Sequence, residues 1–236
     1  MNYFSLRNYL EEIGLEVFTL NDVVKISEQK KEVVKSTLTR LVKQEKLFRL
    51  KPNYYSLRKI ENKFLFQKLY PNTYIGLHSA LEYYGTTTQR FNNLDIVTKK
   101  TLKKQIIENI EIDFHKMKNE LFFGFKKIPF NNTEVFISNI EKTIIDCTIF
   151  SSKVYLSDIN EFIRVSKEIL NRELILNYLQ KIDSSTLNKR VGYLFKLNGI
   201  DLNGLKINNK YERLNKNLDQ RGPKDKKWKL VINEEF

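Results

Sequence analysis

The sequence predicts an α+β fold, and three observations carry that prediction. Apolar residues recur at helical spacing through residues 5–46 and again through 157–197. Between them, Ile110-Glu111-Ile112-Asp113-Phe114-His115 alternates apolar and polar, as a half-buried strand does. At 41% hydrophobic and 12% aromatic content over 236 residues, the chain can bury a substantial core.

The first sixty residues set out four elements in order. Leu6, Leu10 and Ile13 share one face of a short helix over 5–13 that stops at Gly14. Thr19 is the N-cap expected of a second helix carrying Leu20, Val23 and Val24. A longer helix over 31–46 places Val34, Leu38, Leu41 and Val42 on its inner stripe. Two β-prone runs, 47–50 and 54–57, then flank Lys51-Pro52-Asn53, whose Pro fixes φ and whose Asn tolerates the left-handed region. Helix, helix, basic helix and hairpin make the order of a winged helix-turn-helix domain.

The outer side of the third helix presents Ser36, Thr39, Arg40 and Lys43, with Lys35 on its flank and Lys30 and Lys31 at its approach. A helix of this girth fits the major groove, so Arg40, Ser36 and Thr39 are the candidate base readers. Lys30, Lys31, Lys35, Lys43, Arg49 and Lys51 are candidate phosphate contacts, which set position and salt dependence and carry no base information. The expected partner is double-stranded DNA, and a protein-docking module is the competing reading.

Net charge adds little to this. The formal charge is +13, but 31 of the 41 basic residues are Lys and there are 24 Asn, the bias that an A/T-rich genome imposes through its codons. Its distribution is more telling, at +5 over residues 1–60, +2 over 61–150 and +6 over 151–236.

The remaining residues, 61–236, read as one α/β domain. Glu61 to Leu69 is a helical connector, and residues 74–85 read as a helix ended by Gly85. Strands are expected over 94–98, 110–115, 121–128 and 134–137, and a helix over 140–150 with Ile144, Ile145 and Cys147 inward. After the sheet of 70–150 come helices over 157–165, 171–179 and 187–197 and a closing strand over 228–233. The basic stretch from Lys206 to Lys229 reads as a solvated surface or as a platform for an anionic partner.

Residues of this middle segment resemble a known family. Tyr74-Ile75-Gly76-Leu77-His78-Ser79-Ala80-Leu81-Glu82-Tyr83-Tyr84-Gly85, then Gln89 and Ile96-Val97-Thr98, is similar to the start of AbiE-type antitoxins of type IV toxin-antitoxin and phage abortive-infection systems. Phe123-Gly124-Phe125, Glu141-Lys142-Thr143-Ile144-Ile145-Asp146 and Trp228-Lys229-Leu230-Val231 resemble later motifs of that family. The wing turn carries Lys51-Pro52-Asn53 where relatives often place a Gly.

The resemblance implies a transcriptional autorepressor that binds operator repeats through its winged domain. It also implies a C-terminal domain that neutralises a nucleotidyltransferase-like toxin, with Ser79, Tyr83, Tyr84, Glu141, Lys142 and Asp146 as candidates for that role. Each has an ordinary reading beside it: Ser79, Tyr83 and Tyr84 cap and pack a helix, and Glu141, Lys142 and Asp146 form an exposed salt-bridged turn.

No enzyme is expected, and no cofactor or metal. One Cys precludes an intramolecular disulfide, and one Cys with two distant His, His78 and His115, cannot close a four-ligand zinc site. Asp95, Asp113 and Glu134 lie near strands without the acidic-x-Lys pairing of a metal-dependent nuclease, and no Walker loop, nucleophile elbow or HExxH motif occurs. With no membrane-length apolar run and no signal-peptide pattern at the start, a cytoplasmic location is expected.

Overall fold

In the computed structural model, residues 2–85, 92–130 and 133–236 are described. Asn2 caps the first helix, α1 (Tyr3–Glu12), by accepting the Ser5 N–H at 2.8 Å, and Leu6 and Leu10 turn inward. Gly14, in the left-handed region at φ +64, carries the chain into β1 (Val17–Thr19), a short strand the periodicity does not signal. Thr19 then opens α2 (Leu20–Ser27) with a reciprocal capping box: its Oγ1 accepts the Asp22 N–H at 3.1 Å, and Asp22 Oδ2 accepts the Thr19 N–H at 2.7 Å. Helix α3 (Lys31–Lys43) follows, then the hairpin of β2 (Phe48–Lys51) and β3 (Tyr54–Ser56). The three strands form an antiparallel sheet in the order β1-β3-β2.

A 3₁₀ segment, Lys63–Leu69, leads into the second sheet. Its strands are β4 (Thr73–Ile75), β5 (Asn93–Thr98), β6 (Gln105–Ile107), β7 (Ile110–Lys116), β8 (Phe125–Phe130) and β9 (Thr133–Ser138). They lie in the order β6-β7-β5-β4-β9-β8. The sheet is mixed, because β5 pairs with β7, and β4 with β9, in parallel. The expected helix over 74–85 is shorter: Tyr74 and Ile75 belong to β4, and α4 runs only from Leu77 to Tyr83. Likewise, the strand expected from 121 begins at Phe125, after a 3₁₀ turn at Asn119–Leu121. Gln89, part of the family resemblance, lies outside the described residues.

Four helices follow: α5 (Ile140–Ile149), α6 (Leu156–Ser166), α7 (Arg172–Ile182) and α8 (Ser185–Leu197). The chain ends in a small sheet, β10 (Glu212–Arg213), β11 (Lys224–Asp225) and β12 (Leu230–Val231), with β12 in the middle.

The six-stranded sheet is covered on both faces, as the pleat requires of strands buried on both sides. Tyr74, Val97 and Phe136 point to α5, α6 and α8, within a core that includes Ile144, Phe162, Leu194 and Trp228. Ile75, Ile96, Ile112, Val135 and Ile137 point the other way, against Leu65, Phe66 and Leu69 of the 3₁₀ segment. Val17 and Leu50, from the first sixty residues, join that second core. The first sixty residues also have a core of their own, built on Leu6, Leu10, Phe18, Leu20, Val23, Val34, Leu38 and Leu41.

Candidate nucleic-acid interface and a buried ionic node

Helix α3 divides its residues sharply between inside and outside. Val34, Leu38 and Leu41 are buried, whereas Lys31, Glu32, Lys35, Ser36, Thr39, Arg40 and Lys43 are exposed. Lys30, at the N-cap position, and Arg49, on β2, are exposed too. Among the described residues, none of Lys30, Lys31, Lys35, Arg40, Lys43 or Arg49 makes an ion pair. The surface therefore carries cations whose charge is not spent on neighbouring carboxylates, with Glu32 the one acidic side chain of the helix. Thr39 donates its hydroxyl to the Lys35 carbonyl at 2.8 Å, which leaves its lone pairs, and not its proton, for an outside partner.

The hairpin is short. Pro52 and Asn53 make the two-residue turn between the paired Lys51 and Tyr54, with Asn53 in the left-handed conformation, φ 67, and its carbonyl accepts the Leu20 N–H at 2.9 Å. Pro52 and Asn53 are exposed at the tip. Lys51, expected among the phosphate contacts, points elsewhere: its ammonium donates to the Leu69 carbonyl and lies 4.6 Å and 4.0 Å from the ring centres of Tyr54 and Tyr70. Burial pushes its pKa down. A register shift between Arg49 and Lys51 breaks the alternation of β2, turning Lys51 toward the connector while Arg49 stays outside, so Lys51 fastens the hairpin to the rest of the chain.

On the helical side of the large sheet, Tyr74, Gly124, Lys142 and Asp146, drawn from three of the motifs in the family resemblance, meet. Asn139 caps α5 by accepting the Lys142 N–H at 2.8 Å, and its Nδ2 donates to the Tyr178 hydroxyl at 2.9 Å. One turn apart on that helix, the Lys142 ammonium and the Asp146 carboxylate pair directly, both fully buried. The Tyr74 hydroxyl donates to Asp146 Oδ2 at 2.8 Å, and Lys142 Nζ lies 3.2 Å from the same hydroxyl. Burial raises the Asp146 carboxyl above its ordinary range, against the pull of Lys142 and Tyr74. Gly124, at φ +74, lets the Phe123-Gly124-Phe125 strand start pass close to this pair, since a Cβ there would fall 2.9 Å from Lys142 Cβ.

This corrects the expectation of an exposed salt-bridged turn. Every residue of α5 from Glu141 to Thr148 is buried, because the helix lies under the sheet and against α6, α7 and α8. Glu141 reaches α7, where its Oε1 accepts the N-cap Asn171 N–H at 2.7 Å. Ser79 is buried, with its Oγ accepting the Asp95 N–H at 2.8 Å. Tyr84 donates to the Ser138 carbonyl at 2.9 Å, and Tyr83 packs edge-on against Tyr84 and Phe64. All six candidates for the neutralising role thus hold the fold together, and Glu141, Lys142, Asp146 and Ser79 present no surface to a partner.

Sequence reasoning missed a second polar group nearby. His115 Nε2 lies 2.7 Å from Asp95 Oδ1, both buried, and His78 Nδ1 lies 3.8 Å from the other oxygen of Asp95. The two histidines are 37 positions apart, and only the parallel register of β5 with β7 brings Asp95 beside the strand of His115. Cys147 is buried, as expected, and burial pushes its thiol up. Lys189 of α8 is fully buried and donates to Asn208 Oδ1, the Lys210 carbonyl and Glu212 Oε1 at 2.7–2.8 Å, tying down the basic C-terminal stretch. Among the described residues, no group of three or more His, Cys, Asp or Glu side chains is placed to hold a metal ion.

The architecture has a counterpart among solved structures. The crystal structure of RV2827C protein from Mycobacterium tuberculosis superposes with a TM-score of 0.66 over 95% of this chain and 88% of that one, at 11% identity. At that identity the likeness is one of fold alone. No protein-family model and no curated protein matches the chain. No helix among the described residues is long and apolar enough to cross a membrane.

Proposed function

We propose that the chain is a DNA-binding transcriptional autorepressor and the antitoxin of a type IV, abortive-infection toxin-antitoxin pair, with no catalytic reaction of its own. The first sixty residues act as a winged helix-turn-helix whose α3 lies in the major groove of operator repeats. One observation carries this reading: the unpaired, exposed cations Lys30, Lys31, Lys35, Arg40, Lys43 and Arg49 gather on α3, its approach and the hairpin, beside the exposed hydroxyls of Ser36 and Thr39. Such a surface gains affinity by releasing counterions from duplex phosphates, and Arg40 has the fork geometry that reads a guanine edge. The antitoxin part rests on the sequence resemblance, and with four of the six motif candidates buried, neutralisation falls to the outer surface of residues 61–236. The partner is a nucleotidyltransferase-like toxin; a direct complex is not required.

Titration of the full chain onto DNA from upstream of its own reading frame tests the repressor role. Arg40→Ala with Lys43→Ala should weaken binding and flatten its salt dependence; binding that is unchanged removes α3 from the contact surface. Rescue of cells expressing the adjacent toxin tests the antitoxin role.

A second reading has one observation in its favour. Val33 and Phe48, 49% and 39% exposed, flank the cationic face and give it apolar area suited to docking a protein. A stable complex with a neighbouring gene product, without operator binding, would select that reading.

A further inference from the structure

A cleft of about 480 Å³ opens between the β2–β3 hairpin and the six-stranded sheet. Its walls come from four stretches of the sequence: Lys51 and Tyr54 of the hairpin, Leu69 to Thr73, Thr98 to Lys100 with Leu102 after β5, and Phe122. The size falls in the range of roughly 300–1,000 Å³ typical of small-molecule sites. Three lysines, three aromatic rings and no carboxylate line it.

That composition selects a ligand. The Lys51 ammonium is half withdrawn from water, and its neighbours are neutral: the Leu69 carbonyl and the faces of Tyr54 and Tyr70. Lys99 lies over the Phe122 ring at 4.9 Å, and the Lys100 N–H donates to Thr98 Oγ1 at 3.2 Å, which fixes the bend that brings both lysines to the rim. A partly desolvated cation without a counter-charge favours an anion, and charge-assisted hydrogen bonds to phosphate are among the strongest available to lysine. Aromatic and apolar walls favour a flat ring beside that anion. A metal cation is disfavoured by the same charges.

We propose that this cleft binds a free mononucleotide, its phosphate held by Lys51, Lys99 and Lys100 and its base set against Tyr54, Leu102 and Phe122. The occupant bridges the hairpin that carries Arg49 to the segment that follows β5. The assignment stands independently of whether the hairpin touches DNA.

Calorimetric titration of the full chain with AMP, GMP, CMP and UMP, beside adenosine and inorganic phosphate, tests it. At least one nucleotide should bind with a Kd below about 1 mM, with the nucleoside and phosphate alone about tenfold weaker or worse. Lys99→Ala with Lys100→Ala, both exposed and outside the cores, should leave the unfolding transition in place and lower nucleotide affinity about tenfold. Absence of binding by all four nucleotides overturns the proposal, as does phosphate binding as tightly as the nucleotide, or affinity untouched by the double substitution. A 5′-phosphorylated oligonucleotide that binds about tenfold more tightly than any mononucleotide assigns the cleft to a strand end and overturns the free-nucleotide assignment.

Discussion

Lys142 and Asp146 form an ion pair across one turn of α5 with neither side chain reaching solvent, and the Tyr74 hydroxyl closes it from β4 at 2.8 Å. Removing one member strands the other charge in the core, which costs about 3–5 kcal/mol. Asp146→Asn and Lys142→Met should each lower unfolding stability by about that amount. The double replacement Lys142→Met with Asp146→Leu should recover a large part of the loss, since an apolar pair leaves no buried charge. Denaturant titration of the three variants checks this; equal losses in the single and double variants would show that the pair is not the source.

Gly124 presses on the same node. Alanine there would adopt φ +74 and bring a Cβ within 2.9 Å of Lys142. Gly124→Ala should destabilise the fold by about 1–3 kcal/mol. Because the site is remote from α3, the salt dependence of DNA binding should be unaltered in material that remains folded.

Lys35 and Lys51 should part company in experiment, although both are lysines of the first sixty residues. Lys35→Ala removes an exposed, unpaired charge and should reduce the slope of log affinity against log salt by about 0.9 with the melting temperature unchanged. Lys51→Ala should leave that slope alone and lower the melting temperature, because its ammonium holds the hairpin to Leu69 and Tyr70. Parallel salt titrations and thermal scans distinguish the two.

How much of this was legible in the sequence depends on whether the signal was local. Helices α2, α3, α7 and α8 follow from apolar spacing, with a capping side chain at the start of each but α3, and each lies where the pattern puts it within a few residues. Tyr74-Ile75-Gly76-Leu77 suits a strand or the start of a helix equally, and the break between β4 and α4 is Leu77, whose φ of 49 no periodicity announces. Strand β6, with Gln105 and Ile106 both exposed, has no alternation to read. Spacing of i and i+4 is the same for a buried ion pair as for an exposed one, and only the packing of α6, α7 and α8 around α5 decides between them. Which way Lys51 points depends likewise on where the connector runs.

Asp225 is one of the carboxylates through which acid should act. Burial alone would raise this carboxyl, but Lys196 Nζ at 2.6 Å and the Trp228 N–H at 2.7 Å outweigh it and hold its pKa below the ordinary value of 3.8. A group whose pKa is depressed on folding adds stability above its unfolded value and loses it as pH falls through the folded one. The wild-type protein should therefore lose stability below about pH 4, and Asp225→Asn, starting lower, should show a shallower acid limb in melting temperature.

Val17 and Leu50 lie in one apolar cluster with Leu65, Phe66, Ile96 and Val135. Severing the chain after residue 60 would strip cover from Val17 and Leu50 on one fragment and from Leu65 and Phe66 on the other, although the first sixty residues keep a core of their own. Melting should run as a single cooperative event across the chain, and any tilt of the hairpin on an outside partner is felt directly in the strands behind it.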